Sequence, residues 1–541
     1  MSGIPSAPPH TMWQSGMPPS LGAVMPLVAL LLLAPALQAQ APTIDTVIVI
    51  THDVFDVAEA GRNPAFAIAN AVRFKTRPEI VRRELLFRAG DPYDSARVAE
   101  TQRNLRALGL FRDVHIDTTR VGGRLAAVVE TRDGWTTELQ FNARSTGGEF
   151  TWSAGLEERD FLGVAAAVGA QYRHDPDRTA VMVLANWNRV FGTPLLAAGS
   201  YDDRSDGRIG LWNVGFPFRA FADRRALELG GEAGRHRVLQ FRDGDSVNAV
   251  QRRALRLRLS GALAPYTGGK GYLRTGFVAQ LKREAYVRSA DTLLPVPDSV
   301  SGAVGVQLDW RRARFLVLTH YNGFARDEDV DLSTRVRLAA WVAPGPLGYA
   351  QGGVGPELDA QTGAAVGRAF FRLEVQANGL FTADGLDSGR VWSALTLAAR
   401  VASRHATMLH VEAAARTGLP PGSEIDLGHG LGPRAFDSHA FTGTRSVWGT
   451  LEHRWFAVDE VWHLLGIGLA AFLDYGGAWY ADELPRAGGD VGMGLRLGAT
   501  RATGANVGRF DLSYRFGDEW SLADGASGHR WVLSLGRSFT F

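Results

Sequence analysis

The sequence predicts a transmembrane antiparallel β-barrel of about sixteen strands, preceded by one small α+β module. Three observations carry that expectation. The chain closes on an alternating strand, in which Trp531, Leu533, Leu535, Phe539 and Phe541 share one face, interrupted by Arg537, while Ser534, Gly536, Ser538 and Thr540 share the other. Everything beyond residue 134 repeats strand, turn, strand with no helical pattern. Helical periodicity is confined to residues 42–133.

Residues 1–41 read as a signal peptide. An apolar run over residues 21–37 is densest at Leu30-Leu31-Leu32-Leu33 and precedes Ala39-Gln40-Ala41, a small-x-small cleavage pattern, although no Lys or Arg stands before Arg62. The run is too short for a membrane helix and is broken by Pro26 and Pro35. No later stretch approaches 18 consecutive apolar residues, so any membrane crossing in the remaining chain falls to strands.

Residues 42–133 form the module. A strand is expected over 44–50. Thr76-Arg77-Pro78-Glu79 opens a helix, with Thr76 as N-cap and Glu79 completing a capping box. Asp94 caps a second helix whose Val98, Leu105 and Leu108 lie near one face, and Gly109 ends it. Strands over 111–117 and 125–131 follow, joined through Gly122-Gly123. The order is β-α-α-β-β, and the segment 53–75 receives no assignment.

Residues 134–541 form the barrel, from a first strand over 135–143, beginning at Trp135, to the last over 531–541. Phe371, Leu373, Val375 and Ala377 alternate with Arg372, Glu374, Gln376 and Asn378, and Leu255, Leu257 and Leu259 with Arg256, Arg258 and Ser260. In so long an array, that sorting fits a barrel with an apolar outside and a wet, charged lumen. Thirteen of the 14 Trp stand at or beyond Trp135, where interfacial belts need them. At roughly 25 residues per strand and connection, about sixteen strands result, an even number that leaves both barrel ends on one side.

Several function classes drop out. The chain has no Cys, hence no disulfide, thiolate metal site or cysteine nucleophile. A net charge of +2 gives no reason to expect a nucleic-acid partner. No Gly-x-Ser-x-Gly, His-Glu-x-x-His or phosphate-loop motif occurs, and Gly268-Gly269-Lys270-Gly271 reads as a hairpin turn. Asp327-Glu328-Asp329-x-Asp331 lacks the Gly and closing Glu of a calcium loop and reads as a solvated loop. No catalytic residue, metal or cofactor is expected, and the chain is not read as an enzyme.

Arg83-Glu84-Leu85-Leu86-Phe87-x-x-Gly90-Asp91-x-Tyr93-Asp94, followed by Leu105-Arg106-x-Leu108-Gly109-x-Phe111-x-x-Val114, resembles the polypeptide-transport-associated (POTRA) module; the segment 53–75 exceeds that module's usual short link. Ser534, Gly536, Phe539 and Phe541 resemble the C-terminal recognition signal of bacterial outer-membrane barrels. Gly428-His429-Gly430-Leu431-Gly432-Pro433-Arg434-Ala435-Phe436, Glu452 on the next strand, and Phe472-Leu473-Asp474-Tyr475-Gly476-Gly477 together resemble the paired motifs of the BamA/TamA/FhaC insertase and translocase superfamily. Pro433 and Ala435 depart from its pattern.

The resemblance implies that a loop folds into the lumen and presents Arg434, with Phe436 beside it, to Asp474, with Glu452 as a second acid and Phe472 and Gly476 completing the strand motif. This lock would brace the late strands while the seam between first and last strands stays free. It also implies a place in the bacterial outer membrane, with the POTRA-like module in the periplasm. The implied activity is insertion of outer-membrane proteins. The implied partners are membrane lipid, unfolded outer-membrane or secreted polypeptides, and periplasmic chaperones or accessory lipoproteins. The alternative is a translocase that exports one polypeptide through the lumen; a passive porin is a third reading, for which the module would be superfluous.

Overall fold

The computed structural model describes residues 42–146, 149–242, 244–348, 352–418, 420, 422–428, 431–504, 507–517, 530–538 and 540. The expected signal peptide, His429, Gly430, Phe539 and Phe541 lie outside the described residues.

The module is a three-stranded sheet with helices. Strand β1 (Thr46–His52) runs parallel to β3 (Arg124–Asp133), which pairs antiparallel with β2 (Phe111–Val121), giving the order β1-β3-β2. Four helices precede β2: α1 (Val57–Arg62), α2 (Pro64–Val72), α3 (Pro78–Glu84) and α4 (Ser95–Ala107). The expected β-α-α-β-β order is thus exceeded by two helices, both within the unassigned segment 53–75. Ile80 and Val81 of α3 and Val98 and Leu105 of α4 close a core with Ile44, Phe111, Val114 and Val129. Asp94 caps α4 as expected, accepting from the backbone of Ala96 and Arg97 at 2.8 and 3.4 Å. Thr76 does not cap α3. The N-cap is Arg77, and the Thr76 hydroxyl donates instead to Asp160, on a barrel turn, at 2.8 Å.

Beyond the module, twenty strands close an antiparallel barrel, against the expected sixteen. The count rises because the first six strands hold only nine or ten residues each, enough for a tilted strand to cross a bilayer, and turns such as Gly268 to Gly271 are tight. The first strand is Thr137–Thr146, two residues later than expected, and the described part of the last is Trp531–Arg537.

The barrel is inside-out. In the strand Val507–Phe516, Phe510 and Leu512 are exposed while Asp511 and Ser513, between and beside them, are buried. Leu469, Leu473 and Tyr475 face outward on Leu465–Trp479, with Phe472 and Asp474 facing in. Period-2 alternation sends one set to each face, and here the apolar set is outside.

Candidate functional site: a charged lock in the lumen

Register builds the acceptor side of the site. Thr450, Asp474, Asp490 and Arg515 lie directly opposite one another across four adjacent strands, Arg445–Val461, Leu465–Trp479, Gly488–Ala499 and Val507–Phe516. Two residues along the first of these, Glu452 faces Phe472, which faces Gly492. Neighbouring carboxylates at Asp474 and Asp490 repel unless a cation sits between them.

The loop that supplies the cation leaves strand His405–Thr417, forms a small hairpin from Ile425–Leu427 and Phe441–Gly443, and folds inward between them. Ile425, Leu427, Phe436 and Phe441 pack against Trp448 and Ala478 of the wall. The Phe436 ring lies on Gly488, where an added Cβ would stand 2.4 Å from a ring carbon. Ala435 is fully buried, and its N–H donates to Asp490 at 3.0 Å. Left-handed backbone occurs at Gly432 and His439, so Ala435 carries no such strain.

Arg434 is buried and radiates bonds. Its Nε donates to Asp474 at 2.5 Å and its Nη2 to the other carboxylate oxygen at 3.2 Å, while Glu452 and Asp511 each accept at 3.2 Å and Thr450 at 3.3 Å. The guanidinium also stands 3.7 Å above the Phe472 ring. Three further arginines balance the acids: Arg454 reaches Glu452 at 2.7 Å, Arg496 reaches Asp511 at 2.5 Å, and Arg509 reaches Asp511 at 3.1 Å. Buried charges persist only when paired and hydrogen-bonded in this way.

The lock extends across the seam. Arg144, on the first barrel strand, donates to the carbonyl oxygen of Phe436, and Arg515 lies 3.5 Å from Asp437. Arg144 stands opposite Ser534 on the last strand, so the tip is bonded to the first strand and to the strand preceding the last. Among the described residues, three pairs join the last strand to the first (Leu533 with Ser145, Ser534 with Arg144, Leu535 with Ala143), whereas seven join the last strand to its predecessor and ten join the first to its successor. Gly536 lies near Asn142 of the first strand. Trp135 precedes that strand and forms an isolated parallel bridge with Ala502.

At the base of the inward loop, His439 stacks on Phe241 and is held by Asp426 at 2.6 Å and Asp177 at 3.0 Å. Burial would lower its pKa, but the two carboxylates outweigh burial and raise it to about 9.

A second loop, residues 313–333, enters the lumen from the module's end. Phe324 lies against Gly466 and Gly498, and Arg454 donates to the Tyr321 carbonyl oxygen at 3.1 Å and to Asn322 at 3.2 Å. Its acidic run is not solvated as expected. Glu328 accepts from the backbone of Tyr321, Asn322 and Gly323, Asp329 takes a bidentate contact from Arg106 of α4 at 2.6 and 2.7 Å, and Asp331 meets Arg311 at 2.5 Å.

The structure therefore brings together Arg434, Phe436, Glu452, Phe472 and Asp474, with Gly476 in close approach to the Trp448 backbone. It places Ser534 and Gly536 at the seam. Sequence reasoning missed Asp490, Asp511, Arg496, Arg509 and Arg144. Their signal was available, since each occupies the inward phase of its strand.

No family model matches the chain, and no curated protein does. Among solved structures, BamA from Haemophilus ducreyi lacking POTRA domains 1–3 aligns over 91% of this chain and 85% of that one, at 12% identity and a TM-score of 0.40. CdiB from Acinetobacter baumannii aligns over 92% and 74%, at 10% identity and 0.45, and CdiB from Escherichia coli over 93% and 92%, at 10% and 0.45.

Proposed function

We propose that this chain is a BamA/TamA/FhaC-type barrel of the bacterial outer membrane, with its POTRA-like module in the periplasm, that inserts other outer-membrane proteins. The observation that carries the reading is the contrast between a short seam and the charged lock beside it. Three residue pairs close the described seam, while Arg434 bonds to three late strands and the Ala435 N–H to the fourth between them, tying the four into one body. A sheet edge must be paired in lipid, so a seam that parts exposes a template for an incoming strand.

An unfolded client adds to an edge of the β1-β3-β2 sheet, where main-chain bonds give affinity without sequence demands. The seam between Thr137–Thr146 and Trp531–Arg537 then parts and pairs with client strands. Burial of the client's apolar face in lipid supplies the driving force. The tip contact with Arg144 must break first, which makes the lock a latch on the seam as well as a brace. Unfolded clients, with chaperones or accessory lipoproteins delivering them, are the partners of this reading.

The second reading, export of a single polypeptide through the lumen, draws on the two loops that enter it from opposite ends, which would act as removable plugs. Photocrosslinking in cells separates the two, with probes along Thr137–Thr146 and in the module. Many different nascent barrel proteins captured on the first strand establish insertion, whereas one secreted partner crosslinked to lumen and module refutes it in favour of export.

A further inference from the structure

The segment 53–75 is unexplained by either reading. Its helix α2 carries no charged residue between Arg62 and Arg73. Asn70, its one polar side chain past the N-cap, turns inward and exchanges bonds with the Phe55 backbone at 2.8 and 3.2 Å, while Phe66 stacks on Phe55 at 4.1 Å. What remains outside is apolar: Ala65, Ala67, Ile68, Ala71 and Val72 are all exposed, Ile68 at 62% and Val72 at 70%. A soluble helix facing water does not keep such a face.

The position of α2 says what covers it. Glu59 of α1 takes Arg501, on a barrel turn beside the last strands, at 2.8 Å, and Phe66 meets His463 edge-on at 6.4 Å on another such turn. At the other end of the segment, Phe74 packs on Phe161, on the turn after the second barrel strand, at 5.8 Å. The helix pair thus straddles the seam from below. Ala65, Phe66 and Ala69 share an apolar cleft of about 690 Å³ with Leu464 on a barrel turn and with Leu139 and Leu497 of the barrel's outward apolar face. The exposed face of α2 is therefore continuous with the lipid belt. Trp462, next to His463 and 79% exposed, stands where an interfacial aromatic belongs.

We propose that α2, flanked by Trp462, is an interfacial membrane anchor whose Ile68 and Val72 sink into the acyl region of the module-side leaflet directly at the seam. Its partner is the phospholipid leaflet itself. This fixes the module under the closure and fills the leaflet there with protein in place of ordered lipid. The proposal rests on the reading of the barrel as membrane-spanning.

The absence of Cys allows a clean test. The full chain carrying Ile68→Cys, labelled with an environment-sensitive fluorophore, is reconstituted into phosphatidylcholine/phosphatidylglycerol vesicles beside Leu308→Cys on the barrel wall and Val121→Cys on the module's hairpin. Expected are a blue shift at 68, loss of emission to acyl-chain spin labels at a depth of about 5–10 Å, and insensitivity to aqueous iodide, with position 121 behaving oppositely. Introducing Ile68→Asp should make a label at Val72→Cys iodide-sensitive while the barrel stays folded by heat-modifiability on gels. Quenching at 308 but iodide sensitivity at 68 overturns the anchor alone. Protection at 68 that arises only when a client or a second copy is added overturns it in favour of a protein partner. Iodide sensitivity at 308 overturns the membrane reading beneath it.

Discussion

Replacing Arg434 by Ala removes the guanidinium that the inward loop contributes to a cluster of carboxylates. In the folded barrel it bonds Asp474 through two nitrogens, adds Glu452, Asp511 and Thr450, and covers the Phe472 ring. Loss of one partner from a buried charge pair costs about 3–5 kcal/mol because the remaining charges stay buried and uncompensated. At ~1.4 kcal/mol per tenfold, the docking equilibrium of the loop should fall by about two to three and a half powers of ten. Arg496, Arg454 and Arg509 still hold Asp511 and Glu452, so the effect should sit toward the lower end. Ala435 is fully buried in the docked loop, and the otherwise cysteine-free chain makes Ala435→Cys a direct reporter. Its reaction with a membrane-impermeant maleimide, slow when docked, should accelerate about a hundredfold or more in the double variant, because labelling follows the open population when closing is fast. Arg434→Lys should rescue little, since a single ammonium cannot span acceptors that a fork reaches. Equal labelling rates with Arg434 and with Ala at that position would refute the reasoning, because the loop would then be held by its apolar packing alone.

Three further outcomes are expected. His439 is raised to about 9 in the folded protein against an ordinary 6.5, so its contribution to loop docking is fully present below about pH 6.5 and is lost as pH rises through 9; maleimide labelling across pH 6 to 10, corrected for thiolate fraction, should show the rise, and His439→Gln should abolish it. Gly488→Ala forces a methyl against the Phe436 ring, an overpacking cost of about 1–3 kcal/mol, and should open the loop to protease added at the barrel end opposite the module without loss of barrel heat-modifiability. Asp94→Ala removes the α4 cap and should lower protection from hydrogen exchange in that helix by about 1 kcal/mol, leaving the strands unaffected.

How much of this was legible depended on the range of the interaction. Alternation at Phe371 to Asn378 and at the C-terminus, the Asp94 cap and the Gly122-Gly123 turn are local, and each could be read from a few residues because backbone period and turn geometry are local properties. The pairing of Arg434 with Asp474 was accessible through resemblance to a family motif. The strand number was misjudged because the rate per strand assumed long connections, whereas the first strands are short and some turns are tight.

By itself, then, the sequence determined which residues alternate, where helices are confined, and that the chain lacks thiol chemistry. The tertiary structure decided what those residues meet. Asp490, Asp511, Arg496 and Arg509 are ordinary inward-phase residues until barrel closure and register set them around one guanidinium. Likewise Thr76 satisfies a cap pattern in sequence, yet its hydroxyl goes to Asp160 on a distant turn. A long-range bond of this kind depends on the closed shape of the whole sheet, and no window of neighbouring residues encodes that distance.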